Sequence, residues 1–305
     1  MSEKKINHSA IAGGLLLTVV LWGGNNAGTK WLVSSWPPIF TGDTRFLFAG
    51  IILLAVLRFT NLLGRFEPLT REQFRSLWLR GGLSLAAYAV SFTWAFKLTS
   101  ASHVALYLGA SPVWALMLEG RPKANLASAR RYGAALLALS GVLVLFWPAL
   151  RTANTNVAGE LIALVASFIW AIFNHQSRIL AKNINGLEVA ANSMWMAGVT
   201  LLPIALFEIS GGIKLDAPHV GVQSLCIILG GVVPYAFWNT ALRHWQTSRV
   251  LLFNNLIPLT TTLWVHFTLG EKITPTFCAA MALIIAAVLL GQVDWSKIFK
   301  IPESF

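Results

Sequence analysis

Charge is what this 305-residue chain lacks most: 11% of its residues are Asp, Glu, Lys or Arg and 56% are hydrophobic, whereas soluble domains average about a quarter charged. Carboxylates are scarcest, twelve against twenty-three Lys and Arg. None falls at the centre of a long apolar run, since Asp43, Glu119, Glu160, Glu188, Glu208 and Glu271 all map to the ends of runs or to loops. A permanent cation would therefore find no midplane counter-charge, and a buried acidic proton relay would lack its usual group. No Gly-Lys dipeptide occurs, so there is no Walker A phosphate cradle and no sign of ATP as an energy source. No two glycines stand two apart, which removes the dinucleotide fingerprint, and HExxH and GxSxG are both missing. The six histidines are scattered, and the two cysteines, Cys226 and Cys278, read as small packing residues inside apolar runs. No cofactor, metal site or disulfide is expected, and an enzyme is poorly supported.

What the chain has in abundance is apolar sequence. Ten runs are each read as a helix able to cross a hydrocarbon core of about 30 Å. They are Ala10–Leu32, Phe40–Leu57, Leu77–Phe96, Ala101–Leu118, Tyr132–Trp147, Gly159–His175, Leu187–Phe207, Val220–Leu242, Val250–Leu269 and Thr276–Leu290. The fourth, fifth and tenth are short, so they stand upright, thin the bilayer or continue into the interface. The expected fold is an all-α integral membrane protein with the lipid bilayer as its main partner. The net charge of +11 has a simpler explanation than nucleic acid. With the amino terminus inside, seventeen Lys and Arg fall on inner segments and five on outer ones, and the positive-inside rule then puts both termini in the cytoplasm. The first run is too long for a signal peptide and reads as a retained helix.

The chain also matches itself. Leu21-Trp22-Gly23-Gly24-Asn25-Asn26 aligns with Ile169-Trp170-Ala171-Ile172-Phe173-Asn174 at an offset of 148, which also lays Ala49-Gly50 on Ala197-Gly198. Ala95-Phe96-Lys97 through Pro112 aligns with Ala241-Leu242-Arg243 through Pro258 at an offset of 146. Each half holds five runs, an odd number, so the second copy enters the membrane from the opposite side. The sequence therefore predicts two inverted five-helix repeats, residues 1–150 and 151–305, a construction typical of secondary transporters with a site at the repeat interface.

The sequence further resembles the EamA-like transporters of the drug/metabolite transporter superfamily. The resemblance rests on Leu21-Trp22-Gly23, on Ser35-Trp36-Pro37-Pro38 through Arg45-Phe46, on Ala241 through Asn255-Leu256-Ile257-Pro258, and on the Leu-Gly-Glu signature in Leu269-Gly270-Glu271-Lys272-Ile273-Thr274. The first half departs from the pattern: Glu119-Gly120-Arg121 follows Pro112 too soon. The resemblance implies ten spans, a bacterial inner-membrane location, a cavity lined mainly by spans one, three, four, six, eight and nine, and export of amino acids, other metabolites or drugs.

Trp22, Asn25, Asn26 and Thr29 recur at i, i+3, i+4 and i+7, forming one polar-aromatic stripe, and Trp170, Asn174 and Ser177 repeat it. Such asparagines either line a solute site or bond neighbouring helices, and the sequence leaves both open. Gly24 and Gly28 read as packing residues. On spans that the family uses for its cavity, Trp94, Tyr107, Tyr235 and Asn254 join the candidate binding residues, with Trp238, Asn239 and Asn255 behind them. Trp94 and Trp238 fit an interfacial belt equally well. Asp43 and Arg45 are expected to form a local charge network near one end of the second span. Lys97 and Arg243, at matched positions on opposite faces, are read as paired gates or as snorkelling side chains. Pro112 and Pro258 each remove a backbone donor, giving a hinge or a fixed bend.

A cavity that is polar, uncharged, and rich in indoles and amides suits a neutral or zwitterionic solute with an apolar portion. The expected activity is export of amino acids or related small metabolites by alternating access, independent of ATP. An importer or facilitator, or a membrane sensor retaining the fold, is the alternative. A homodimer is left open.

Overall fold

In lipid the backbone must satisfy its own hydrogen bonds, which favours helix, and every regular element among the described residues is helical. The computed structural model describes residues 8–60, 66–120, 125–151, 157–270, 273 and 275–292. Its elements begin with α1 (His8–Leu32), α2 (Pro38–Phe59) and α3 (Arg71–Ser76), the last running through a π-helical turn, Leu77–Gly82, into α4 (Leu83–Leu98). There follow α5 (Ala101–Leu108), α6 (Ser111–Leu118), α7 (Leu126–Arg151), α8 (Val157–Leu180) and α9 (Gly186–Glu208). Next, α10 (Ala217–Leu225) continues through a second π turn, Cys226–Val232, into α11 (Val233–His244). Finally α12 (Thr247–Leu251) passes through a 3-10 stretch, Leu252–Leu256, into α13 (Ile257–Leu269), and α14 (Pro275–Gln292) ends the described chain.

Seven segments are long and apolar enough to cross a membrane: His8–Leu32, Pro38–Phe59, Ala101–Leu118, Val157–Leu180, Gly186–Gly211, Ala217–His244 and Thr247–Thr268. The other three expected runs lie in helices outside that set. Residues 71–98 carry Arg71, Arg75, Arg80 and Lys97, α7 carries Arg130 and Arg131, and α14 has only a short apolar stretch, Cys278–Ala287. The molecule is a multi-pass membrane protein.

Local chemistry explains the boundaries that matter. Pro38 and Pro112 sit in the first turns of α2 and α6, and Pro258 in the first turn of α13, where a missing N–H costs no helical bond. Hence the fourth and ninth segments are each broken just before their proline, at Gly109–Ala110 and along Leu252–Leu256. Gly270 closes α13 with φ 72°, and its N–H reaches back to the His266 carbonyl at 3.2 Å. This left-handed C-cap explains the glycine of the Leu-Gly-Glu motif, whose Glu271 and Lys272 lie outside the described residues.

Two glycines allow a close contact between α2 and α9. A Cβ on Gly50 of α2 would stand 2.4 Å from the Trp195 amide nitrogen of α9, and one on Gly198 of α9 would stand 2.5 Å from Leu47 Cβ of α2. Each helix thus admits the other's backbone. The core runs continuously through both halves, from Leu15, Val19 and Trp22 through Phe46 and Phe92 to Trp170, Phe173 and Trp238.

Candidate functional site

The α1 stripe folds as its spacing predicts: Trp22, Asn25, Asn26 and Thr29 are all buried. Trp22 meets the aromatic residues of the other half at its centre. Its ring lies 5.5 Å from Trp170, 5.6 Å from Tyr235 and 4.7 Å from Trp238, with the first two contacts edge-to-face, geometries favoured by ring quadrupoles. Tyr88 packs at 4.7 Å on Trp170. The Trp22 indole donates to the Gly230 carbonyl at 2.9 Å. Gly230 has to be glycine, because a Cβ there would fall 2.2 Å from Asn25 Oδ1.

These groups enclose a small central space, about 20 Å³, lined by Trp22, Asn25, Asn26, Arg45, Trp170, Tyr235 and Asn254 together with Tyr88, Phe92, Leu108, Gly230 and Ile257. That volume holds about one water, so the cage is collapsed on itself. Six of the nine candidate binding residues meet there. Asn26 donates to Thr261 Oγ1 at 3.0 Å, and Asn254 donates to Ser111 Oγ at 2.9 Å while its own Oδ1 has no partner. The Asn254–Ser111 bond ties together the two broken segments, so Pro112 and Pro258 adjoin the cage.

Three candidates lie elsewhere. Asn174 sits behind the wall, donating to the Trp170 carbonyl at 2.6 Å and accepting from the Trp238 indole at 2.5 Å. It fixes cage rings without lining the space. Trp94 is 37% exposed: two residues, or about 200° of helix, separate it from Phe92, whose face of α4 holds the cage. Tyr107 stands beside Glu160 at one end of the molecule. Tyr88, Phe92, Leu108 and Ile257 are lining residues the sequence reading missed. The i, i+4 spacing of Tyr88 and Phe92 was the available signal.

The expected Asp43–Arg45 network does not form. Asp43 is fully buried with neither carboxylate oxygen bonded. Arg45, buried as well, donates to Asn25 Oδ1 at 3.2 Å and lies 4.4 Å over the Phe46 ring. The expectation of an uncharged cavity is likewise corrected, because Arg45 lines it. Residues two apart on a helix point about 200° from each other, which separates this pair, and α2 begins at Pro38, seven residues or roughly 10 Å before Arg45.

At each end, bonds join the two halves or clamp helix termini. At the end where α1 stops, Lys30 Nζ donates to the carbonyls of Phe96 (2.8 Å) and Thr99 (2.7 Å), and Lys97 donates to that of Val33 at 2.7 Å. There Glu160 of α8 accepts from Thr99 Oγ1 at 2.6 Å and bonds His103 Nδ1 at 2.8 Å. At the other end Glu119 accepts from the Ser248 amide (2.8 Å) and hydroxyl (2.7 Å), and Arg178 donates to the Trp245 carbonyl. Arg243 is exposed. The cation matched in role to Lys30 is Arg178, which the 148 offset also pairs with it, so Lys97 and Arg243 are not equivalent clamps. Outside the helices, Asp216 caps α10, and its bonds to the His219 side chain and amide and to Lys214 hold its carboxyl well below the usual carboxylate range.

The EamA-like transporter family matches residues 10–147 and 157–291. The chain is 25% identical to the uncharacterized transporter YyaM of Bacillus subtilis, with 90% of this chain and 89% of the relative aligned. It is 27% identical to a Salmonella typhimurium protein named "probable amino-acid metabolite efflux pump", over 90% of this chain and 92% of the relative. A crystal structure at 19% identity superposes with a TM-score of 0.72 over 94% of this chain and 98% of that one.

Proposed function

The chain belongs to the EamA-like transporter family, and from that premise we propose that it is a secondary transporter exporting amino acids or related small metabolites across the inner membrane by alternating access. Its ten helical segments form ten spans in two inverted repeats, residues 1–150 and 151–305, with both termini cytoplasmic. The matched glycines of α2 and α9, the two π turns and the two proline-led breaks support the repeat. The name of the Salmonella typhimurium relative supports the substrate class.

One observation carries the reading: rings from both halves, Trp22 on one side and Trp170, Tyr235 and Trp238 on the other, meet around a polar-lined space between two clamped ends. Alternating access needs such a centre, with each end able to release while the other holds. The proline-led breaks beside the cage act as the hinges. The indoles and amides of the cage receive the apolar and polar parts of the solute.

The test is flux in proteoliposomes containing only this protein, normalised to folded protein, over a panel of amino acids. Asn26→Ala and Asn174→Ala lower normalised flux strongly, the first through the solute and the second by releasing Trp238. Trp22→Ala and Trp170→Ala change which solutes are carried. Normal normalised flux and selectivity in all four would remove the cage from the transport path.

A further inference from the structure

Arg45 is a buried charge without a counter-ion. Among the described residues no carboxylate pairs with its guanidinium, and Asp43, two positions away, bonds nothing. A guanidinium carries five N–H donors and keeps its charge in any protein environment, and placing one inside a membrane span is costly enough to imply a use. Here its one hydrogen-bond acceptor is the neutral Asn25 Oδ1 at 3.2 Å, and its Nε–H has none. The rings of Phe46 and Phe92, 4.4 and 5.4 Å from its central carbon, cover its faces. Its donor edge is what remains, at the central cage.

We propose that Arg45 holds the carboxylate of the transported solute, so that the protein selects monocarboxylates with an apolar body. This rests on the cage being the solute site. The guanidinium fork matches a carboxylate bidentately, Asn25 orients the fork, and the rings of Trp22, Trp170 and Tyr235 take the apolar body. An amino group meets a weaker partner: the cage lining contains no acid, and the unpartnered Asn254 Oδ1 is the neutral acceptor left for it. The guanidinium–carboxylate pair joins opposite charges through two parallel bonds, whereas the ammonium donates to a single neutral amide oxygen. Removing the carboxylate from a solute therefore costs more than removing its amine.

The experiment measures competition against uptake of labelled phenylalanine or leucine by wild-type proteoliposomes, using phenylalanine, phenylalaninamide and 3-phenylpropionate. The amide competes about ten- to a hundredfold more weakly than phenylalanine, the loss expected for one charge-assisted hydrogen bond, while 3-phenylpropionate stays close to phenylalanine. In Arg45→Met the gap between acid and amide closes, and in Arg45→Lys, which keeps the charge and loses the fork, it narrows. Arg45→Lys and the wild-type ranking decide the matter if Arg45→Met does not fold. Equal competition by amide and acid in the wild type, or an undiminished gap in Arg45→Lys, overturns the proposal. Carriage of solutes without a carboxylate that the Trp22 and Trp170 variants still impair overturns the Arg45 assignment alone. Carriage that none of the cage variants alters overturns the cage as well.

Discussion

The two halves of the cage occupy matched positions and are chemically unlike. At the 148 offset Asn25 faces Phe173 and Arg45 faces Ser193. The first half thus brings a cation and an amide to the centre. At the matched positions the second half has Phe173, stacked 5.5 Å from Trp170 behind the cage wall, and a serine hydroxyl that is buried without a partner against Gly81, away from the cage. The cage's one cation thus comes from the first half alone, so a solute with a charged end and an apolar end would bind in one orientation.

The sharpest way to break that contrast is to truncate the matched pair. Phe173→Ala removes a fully buried ring and lowers stability by about 3–5 kcal/mol, read as thermal unfolding in detergent. Asn25→Ala, at the equivalent position, lowers stability less and weakens discrimination between acid and amide, because Arg45 loses its orienting acceptor. If Asn25→Ala unfolds the protein as readily as Phe173→Ala with selectivity unchanged in the survivors, the division of labour is wrong.

The α2–α9 contact tests the opposite claim, that the scaffold itself is shared. Gly50→Ala and Gly198→Ala each force a Cβ to within 2.5 Å of the facing helix, and each should cost about 1–3 kcal/mol, as overpacking does. Gly221→Ala, with nothing within 4 Å of the added Cβ, should instead gain about 0.5–1 kcal/mol from helix propensity. A large difference between Gly50→Ala and Gly198→Ala would show that the two helices do not contact each other equivalently.

The sequence made the helices and the α1 stripe readable for a simple reason. Apolar length reports burial in lipid, and a 3.6-residue repeat reports a face. The breaks at Pro112 and Pro258 were readable because a missing N–H acts locally. Trp94 was misplaced because span membership does not say which face of α4 meets the cage. Arg45 was read as an end residue because distance along the chain hides how far a long side chain reaches inward. The clamps of Glu119 and Glu160 were not readable at all, since their partners Ser248 and His103 lie 129 and 57 residues away in sequence and only packing brings them together. Lys30 and Arg178 could have been found, as the 148 offset that aligns the tryptophans also aligns these two cations.

The smallest effect is expected at the caps that start the third and eighth segments. Thr70 caps α3 through a capping box with Gln73, and Asp216, 146 positions on, caps α10 by accepting from the His219 amide at 3.0 Å. The fold is the same and the charge differs, so the pH response should differ too. Hydrogen bonds from the His219 side chain and amide and from Lys214 depress the Asp216 carboxyl, so it binds protons less readily folded than unfolded. Its stabilising contribution is therefore complete above the ordinary carboxylate range, near pH 4, and is lost only as pH falls through the lowered folded value. The stability difference between the native chain and Asp216→Asn should therefore shrink on acidification below about pH 4, while the difference for Thr70→Ala stays flat over the same range. Amide exchange at His219 and Gln73 gives the local readout: the first quickens in Asp216→Asn and the second in Thr70→Ala. A Thr70→Ala difference that also collapses in acid would mean that the loss reflects global acid unfolding and that the two caps are electrostatically alike.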